Sequence, residues 1–519
     1  AAQILTSLGF AWNIGPSLAS AVVNLTQTPL VAYPLMGARF GFAKSARALT
    51  RAARDYTRGD LSWESGMSLE KAKFLNEEER KMFAELIKDG TIDVSQAHDL
   101  AAAAATDYLS LAEKGGNLHK YAKVMKLVSA PFHYAEVANR QITALAAYRV
   151  AVVEVGHDAA VDLARKVVEE GHFDYGQENR ARVMQGNVAR VALLFKQYAQ
   201  NMSYRLVRDF VVALKKSDVT PAEKRQAKLQ FAGILGGHFM VAGTLGLPVV
   251  GMLGTALNMM VGALGDDDEP WDWKAEFRNW LADRVGLKGG EMIAHGPTRG
   301  LLPVDVAGRL SLADLWWRGD DRDLEGRELF NHYMMNIAGP TASNAASVFM
   351  GMASIADGDI WKGVEMMVPK FVKDVAKSIR YANEGVTNRQ QDVLLGDLEA
   401  MELTGQLLGF TPARVAEMYE GKSAVKKIEY GLQNRRTRLK NRYLRAKESG
   451  DRKKMAEAWK PIQRWNSAHA DVKALRITKK DLDRTEKTRQ RYRKGTKKGI
   501  WVPKTREYLR DEGRFANVE

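Results

Sequence analysis

The chain has 519 residues, 27% of them charged, and its 77 Lys and Arg against 62 Asp and Glu give a formal charge of +15. It has no cysteine, which excludes disulfides and thiolate chemistry, and its nine scattered histidines offer no metal-ligand spacing. Ala, Leu, Met, Lys, Arg and Glu dominate and alternating β-branched runs are rare, so the expected class is all-α: an extended multi-helix assembly with a long amphipathic helix and an apolar helical hairpin.

The chain starts Ala-Ala-Gln, with no initial Met and no basic run before its apolar stretch. That start does not suit a secretory signal, and the chain is expected to be a portion of a longer polypeptide. Residues 1–38 carry no formal charge. Pro16, Pro29 and Pro34 prevent one continuous membrane span there, so residues 1–44 are expected to pack between neighbouring domains or subunits, with membrane contact as the other reading.

Residues 45–228 read as a helical region. Ser68 is expected to open a helix that runs through Asn76 to Gly90, which can terminate it. Asp93 and Ser95 are candidate caps for an Ala-rich helix ending near Gly115. A helix is expected over 117–155 and a shorter one after Asp158. Met184, Val188, Val191, Phe195, Tyr198, Met202, Leu206, Phe210 and Leu214 then recur at helical spacing. They predict one rod over 177–216, roughly 50–60 Å long, with a single apolar stripe.

Residues 229–265 form a second run without formal charge, entered from Lys224, Arg225 and Lys228 and left through Asp266, Asp267, Asp268 and Glu269. Gly246-Leu247-Pro248 divides it into two apolar halves, each about 27 Å long if helical, against the ~30 Å of a bilayer's hydrocarbon core. The spacing of Gly233 with Gly237, and of Gly251 with Thr255, allows close helix approach. Residues 229–270 are therefore read as an apolar hairpin. Its membrane-insertion candidates are Gly233, Gly237, Phe239, Leu247, Pro248, Gly251, Met259 and Met260; a buried hairpin in a soluble core is the alternative.

Residues 271–405 form a Trp-rich and then helical region. Trp271 and Trp273 suit a bilayer interface or an ordinary domain interface equally. Thr411 is a candidate N-cap with Pro412 at the first helical position, opening a basic helical tail over 406–519. Between residues 422 and 510 there are 30 Lys and Arg against 9 Asp and Glu, a net of +21, so the rest of the chain carries −6. A localised field implies a localised partner. Arg435, Arg436, Arg438, Lys440 and Arg442, with Arg489, Arg491, Tyr492, Arg493 and Lys494, mix cations with aromatics. They are the nucleic-acid candidates, suited to sequence-independent, salt-dependent phosphate contact. A solvated face and an acidic protein or lipid surface are the alternatives.

No constellation points to catalysis. Gly37 to Ser45 is not a phosphate loop, because three residues separate its glycines and Lys44 is displaced. The acidic run 266–269 lacks the staggered ligands and glycine of a calcium loop. There is no Gly-x-Ser-x-Gly elbow. No cofactor or metal is expected, and any catalytic domain would lie upstream of this chain.

Several segments resemble the C-terminal region of very large phage proteins named for a Pro-Leu-x-Arg-Phe-Gly signature. They are Asn24 to Pro29, then Pro34-Leu35 and Arg39-Phe40-Gly41, with three residues rather than one between Leu35 and Arg39. Gly339-Pro340, Gly358-Asp359, Pro369, Arg380-Tyr381, Glu384 to Thr387, Leu408 to Phe410 and Ile462 to Asn466 look similar too. The resemblance implies an internal virion, or ejection, protein of a short-tailed phage. Its implied partners are copies of itself, other virion core proteins and the portal, packaged DNA, and the host envelope membrane after ejection, where it would help form a conduit. It also implies that upstream modules vary and include a lysozyme or a virion RNA polymerase, so this chain could be the delivery module of such an enzyme. A colicin-like pore-forming protein is the reading from another class.

Overall fold

A computed structural model describes residues 2–92 (except 60, 63–65 and 70–71), 117–173, 181–215, 218–250 (except 249), 273–316 (except 314), 327–388 (except 357 and 359) and 392–497. The described residues are 79% helical, and their strands form short two-stranded pairs. The class is all-α. The described residues fall into two compact units, one drawn from residues up to 420 and one from 421 onward.

In the first unit the expected helix over 117–155 is Asn117–Val155. Its 39 residues span about 58 Å. Ala138, Ala144, Ala146, Ala147 and Ala151 are buried along it, and such small side chains let neighbours approach closely. His157–His172 follows after the single residue Gly156 and packs on it, as does Phe42–Arg58. Glu77–Lys88 closes the same core with Met82, Phe83 and Leu86. This last helix begins later than the expected Ser68. Asn76 Oδ1 accepts from the Glu79 amide at 2.7 Å, and Glu79 Oε2 accepts from the Asn76 amide at 3.0 Å. That reciprocal cap fixes the start, while Arg80 donates to the Leu69 and Ala72 carbonyls and holds the preceding turn.

The core carries a polar seam. Arg140, 2% exposed, donates to the Thr91 and Phe173 carbonyls, both at 2.9 Å, and lies 3.3 Å from Glu136 Oε1. His172 is fully buried, with Nε2 2.7 Å from Thr143 Oγ1. Burial, assisted by the Arg140 charge, pushes its pKa down to about 3 and holds the imidazole neutral.

The predicted single rod over 177–216 is not continuous. Its described part is three helices, Arg182–Gln185, Asn187–Ala192 and Lys196–Leu214. Gly186 is extended (ψ 147°), and Leu193 leaves helical geometry. There the chain abuts the kink of the Arg327–Ala356 helix, where a Cβ on Gly339 would lie 2.0 Å from the Ala192 carbonyl oxygen. The stripe is split as well. Met184, Met202 and Leu206 are buried, but Phe210 and Leu214 are exposed, while Gln197, Arg205 and Asp209, which are outside the stripe, are buried. Ion pairing has overridden the apolar period: Arg205 lies 3.3 Å from Glu170 and donates to its carbonyl at 3.0 Å.

The second unit stacks helices around one tryptophan. Ala413–Glu448, which contributes its first two turns to the first unit, is followed by Arg452–Ala468 and Lys479–Lys497. Leu439, Leu444, Ile462, Trp465, Ile477 and Leu482 form the core. Asp451 caps the middle helix by accepting from the Lys454 amide at 3.0 Å. The link to the last helix is pinned by side chains. Trp465 Nε1 donates to the Leu475 carbonyl at 2.8 Å, and the Asn466 amide group bonds both the N–H and the C=O of Ile477. Thr411-Pro412 does not cap the first of these helices: it pairs as a strand with Val304–Asp305, and the helix opens at Ala413.

Candidate nucleic-acid interface

The basic candidates in the second unit separate onto different faces. Arg436 turns inward, donating to the carbonyls of Leu475 at 3.2 Å and Arg476 at 3.1 Å and lying 3.2 Å from Asp481. Lys440 faces the same side; burial and the Arg436 charge lower its pKa, with Asp481 opposing. Arg489 donates to Asn441 Oδ1 at 2.6 Å and lies 3.4 Å from Glu448. Lys447 pairs with Glu486 at 2.7 Å. These cations tie the last helix to the first through Asp481, Glu486 and Glu448.

Arg435, Arg438 and Arg442 point elsewhere. With Lys460 and Arg464 they line a groove of about 250 Å³ beside Leu439 and Pro461, with Glu457 as its one carboxylate. Among the described residues, the side chains of Arg438, Arg442, Lys460 and Arg464 have no hydrogen-bond or ion-pair partner. Sequence reasoning missed Lys460 and Arg464. Their i, i+4 spacing on a helix that also carries Pro461 was the available signal. Arg491 is exposed at the end of the described part of its helix, Tyr492, Arg493 and Lys494 fall within helix Lys479–Lys497, and the side chains of these last three lie outside the described residues.

The membrane-insertion candidates lie in the first unit where they are described. Thr220 caps Pro221–Ala242, whose first two turns hold Glu223, Lys224, Arg225 and Lys228. Only residues 229–242 of this helix are free of charge, about 21 Å of length, and no described helix is long and apolar enough to cross a membrane. Gly233 and Gly237 do permit a close approach, to the other uncharged segment. A Cβ on Gly233 would lie 3.0 Å from Pro34 Cβ, and one on Gly237 would lie 3.2 Å from Leu30 Cδ2. Ile234, Leu30, Val31 and Leu35 share one buried cluster with Met202 and Leu206. Phe239 is half-buried on the same helix.

The helix ends at Gly243 (φ 64°), three residues before the predicted break. Gly243 lies so close to Ala294 that a Cβ would fall 2.4 Å from its carbonyl oxygen. Thr244 and Leu245 then donate to the Ile293 and Ala294 carbonyls at 2.8 and 3.0 Å. The Leu312 amide bonds Gly246 O at 2.8 Å, so the stretch through Leu247 and Pro248 is held by the surrounding fold. Gly251, Met259 and Met260 lie outside the described residues.

The segment holding Pro34-Leu35 and Arg39-Phe40-Gly41 is a structural junction. Tyr33–Phe40 is broken at Gly41 (φ 92°), after which Phe42–Arg58 begins. Leu35 is in the core, and Arg39 lies 3.8 Å from Glu170, the carboxylate that Arg205 also holds. Asp209, buried nearby, has its pKa raised to about 6 by burial, with Arg205 and Arg208 opposing.

Two further features have the density of a site. Arg299, 4% exposed, places its fork on Glu420 at 3.0 and 3.1 Å, with Arg278, Glu291 and His295 around the same carboxylate. Burial, with Glu420 opposing, pushes His295 down to about 3; the cluster locks Pro297–Leu301 against the start of Ala413–Glu448. A hollow of about 830 Å³ lies between the N-terminal helices and Arg327–Ala356. Its ionisable lining is Lys196, Tyr198, Arg309 and Lys370, which supplies no acid–base pair. Among the described residues no group of acidic or histidine side chains could hold a metal ion. The chain matches no family model, no curated protein and no solved structure.

Proposed function

We propose that this chain is an internal virion protein of a phage, ejected with the genome and active in two settings. Inside the particle the basic module would meet packaged DNA through its phosphates, without reading sequence, while the helical body assembles with copies of itself, other core proteins and the portal. After ejection the uncharged stretch 229–265 would leave its packing and enter the host envelope, contributing to a conduit. One observation supports this most: the two uncharged segments of the chain cover each other in the first unit, at Gly233 and Gly237 against Pro34 and Leu30, while in the second unit Arg438, Arg442, Lys460 and Arg464 line a groove with no partner among the described residues. A chain that combines concealed apolar surface in one unit with unpartnered positive charge in the other suits a protein stored against DNA and later moved to a membrane.

Mixing the full chain with anionic liposomes tests the second setting. A protease-protected fragment covering 229–265 is the expected result. Complete digestion of that stretch removes the insertion step.

A further inference from the structure

We infer that the groove between Ala413–Glu448 and Arg452–Ala468, lined by Arg438, Arg442, Lys460 and Arg464 with Glu457 as its one carboxylate, is the specific seat of nucleic-acid backbone phosphates in the basic module. This rests on the reading that the module meets nucleic acid, and it narrows that reading from a net charge to named side chains.

Placement comes first. Arg435, Arg438 and Arg442 stand at i, i+3 and i+7 of one helix face, a stripe about 10.5 Å long at 1.5 Å per residue. Lys460 and Arg464 stand at i and i+4 on the facing helix. At 3.4 Å of rise per nucleotide of a strand, the stripe follows roughly three nucleotides. The floor is apolar and rigid: Leu439 and Ile462 are buried in the core that Trp465 anchors, and Pro461 lines the groove itself. Core packing therefore holds five cations together around one carboxylate.

Charge assignment comes second. Three other basic side chains of these helices are matched to internal acceptors, Arg436 to Asp481 and two carbonyls, Lys447 to Glu486, and Arg489 to Glu448 and Asn441. The groove cations Arg438, Arg442, Lys460 and Arg464 are not. Clustered like charges repel one another, and an anion between them relieves that repulsion while releasing its own counterions. Guanidinium forks fit phosphate oxygens in pairs. The concavity decides between two phosphate-bearing partners. The phosphate ridge of a nucleic-acid strand enters a groove, whereas a planar lipid surface meets convex faces.

The test uses the full chain and a labelled duplex of arbitrary sequence, with affinity measured across a salt series. The groove variant is Arg438→Gln/Arg442→Gln/Arg464→Gln. Its control, Lys480→Gln/Arg484→Gln/Lys487→Gln, removes the same charge from an exposed stripe of Lys479–Lys497 at i, i+4 and i+7. Loss of about two to three units from the slope of log K against log salt is expected for the groove variant, with at least a tenfold loss of affinity at moderate salt and less than half that effect in the control. Equal losses in both variants overturn the assignment, as does loss of anionic-vesicle binding in the groove variant with duplex binding intact. A wild-type chain that binds no duplex at low salt overturns the nucleic-acid reading itself, a different outcome from equal losses. Should the Gln variant fail to fold, Arg438→Lys/Arg442→Lys/Arg464→Lys keeps the charge. It is expected to retain the salt slope while losing several-fold in affinity, and unchanged affinity there counts against the guanidinium contact.

Discussion

Arg140 and Arg438 carry the same charge on two long helices and are used in opposite ways. Arg140 is buried with Glu136 and two carbonyls around it. Arg438 lines a groove with other cations and has no partner among the described residues. The same division separates the units as a whole. In the first, Arg205, Arg299 and Arg380 each hold a carboxylate in a buried setting, so charge there is structural. In the second, Arg438, Arg442, Lys460 and Arg464 line one groove with no hydrogen-bond or ion-pair partner among the described residues. A count of Lys and Arg does not make that distinction; the placement of carboxylates does.

The two arginines should differ most in what they contribute to stability. Arg140→Met leaves Glu136 and two carbonyls buried without their donor and is expected to cost about 3–5 kcal/mol in urea unfolding. A loss near zero would mean the seam is not structural.

A second effect is pH dependence. His172 has a folded pKa of about 3 against 6.5 for the exposed ring, so the unfolded chain takes up a proton across that window and the folded chain does not. Its contribution to stability is complete above pH 6.5 and falls as pH drops towards 3, at about 1.4 kcal/mol per pH unit. His295 acts in the same direction. Asp209 acts oppositely. With its pKa raised from 3.8 to about 6, its contribution is complete below pH 3.8 and lost as pH rises through 6. The unfolding midpoint of the wild type should therefore fall between neutral pH and about pH 5, and His172→Gln should remove one proton from the slope. An unchanged slope in the variant would contradict the buried neutral ring.

The smallest expected effect sharpens the contrast. Arg438→Met should leave stability within about 0.5 kcal/mol of wild type while weakening duplex binding. A cost matching that of Arg140→Met would erase the difference between the two arginines.

Much of the fold was legible where local signals agree. The helical class followed from composition, and the helix at 117–155 was readable because its flanks, Gly115-Gly116 and Gly156, are strong terminators. The rod at 177–216 was misread because its apolar period continues through Gly186 and Leu193, while its course is set by Gly339 and Glu170, partners far away in sequence. The same blindness applied to Gly233 and Gly237. Their spacing was visible, but the surface that they pack against, Leu30 and Pro34, lies two hundred residues upstream. In the basic tail the charge was plain, whereas its sorting depends on where Asp481, Glu486 and Glu448 fall across the bundle. No one-dimensional pattern separates Arg436 from Arg438.

The central claim is that the second unit holds positive charge in reserve for phosphates. Its most direct test is duplex binding by the wild-type chain from low to physiological salt. Sequence-independent binding is expected, with log K falling against log salt at a slope of about −3 or steeper. Binding that is absent, or that does not respond to salt, would contradict it.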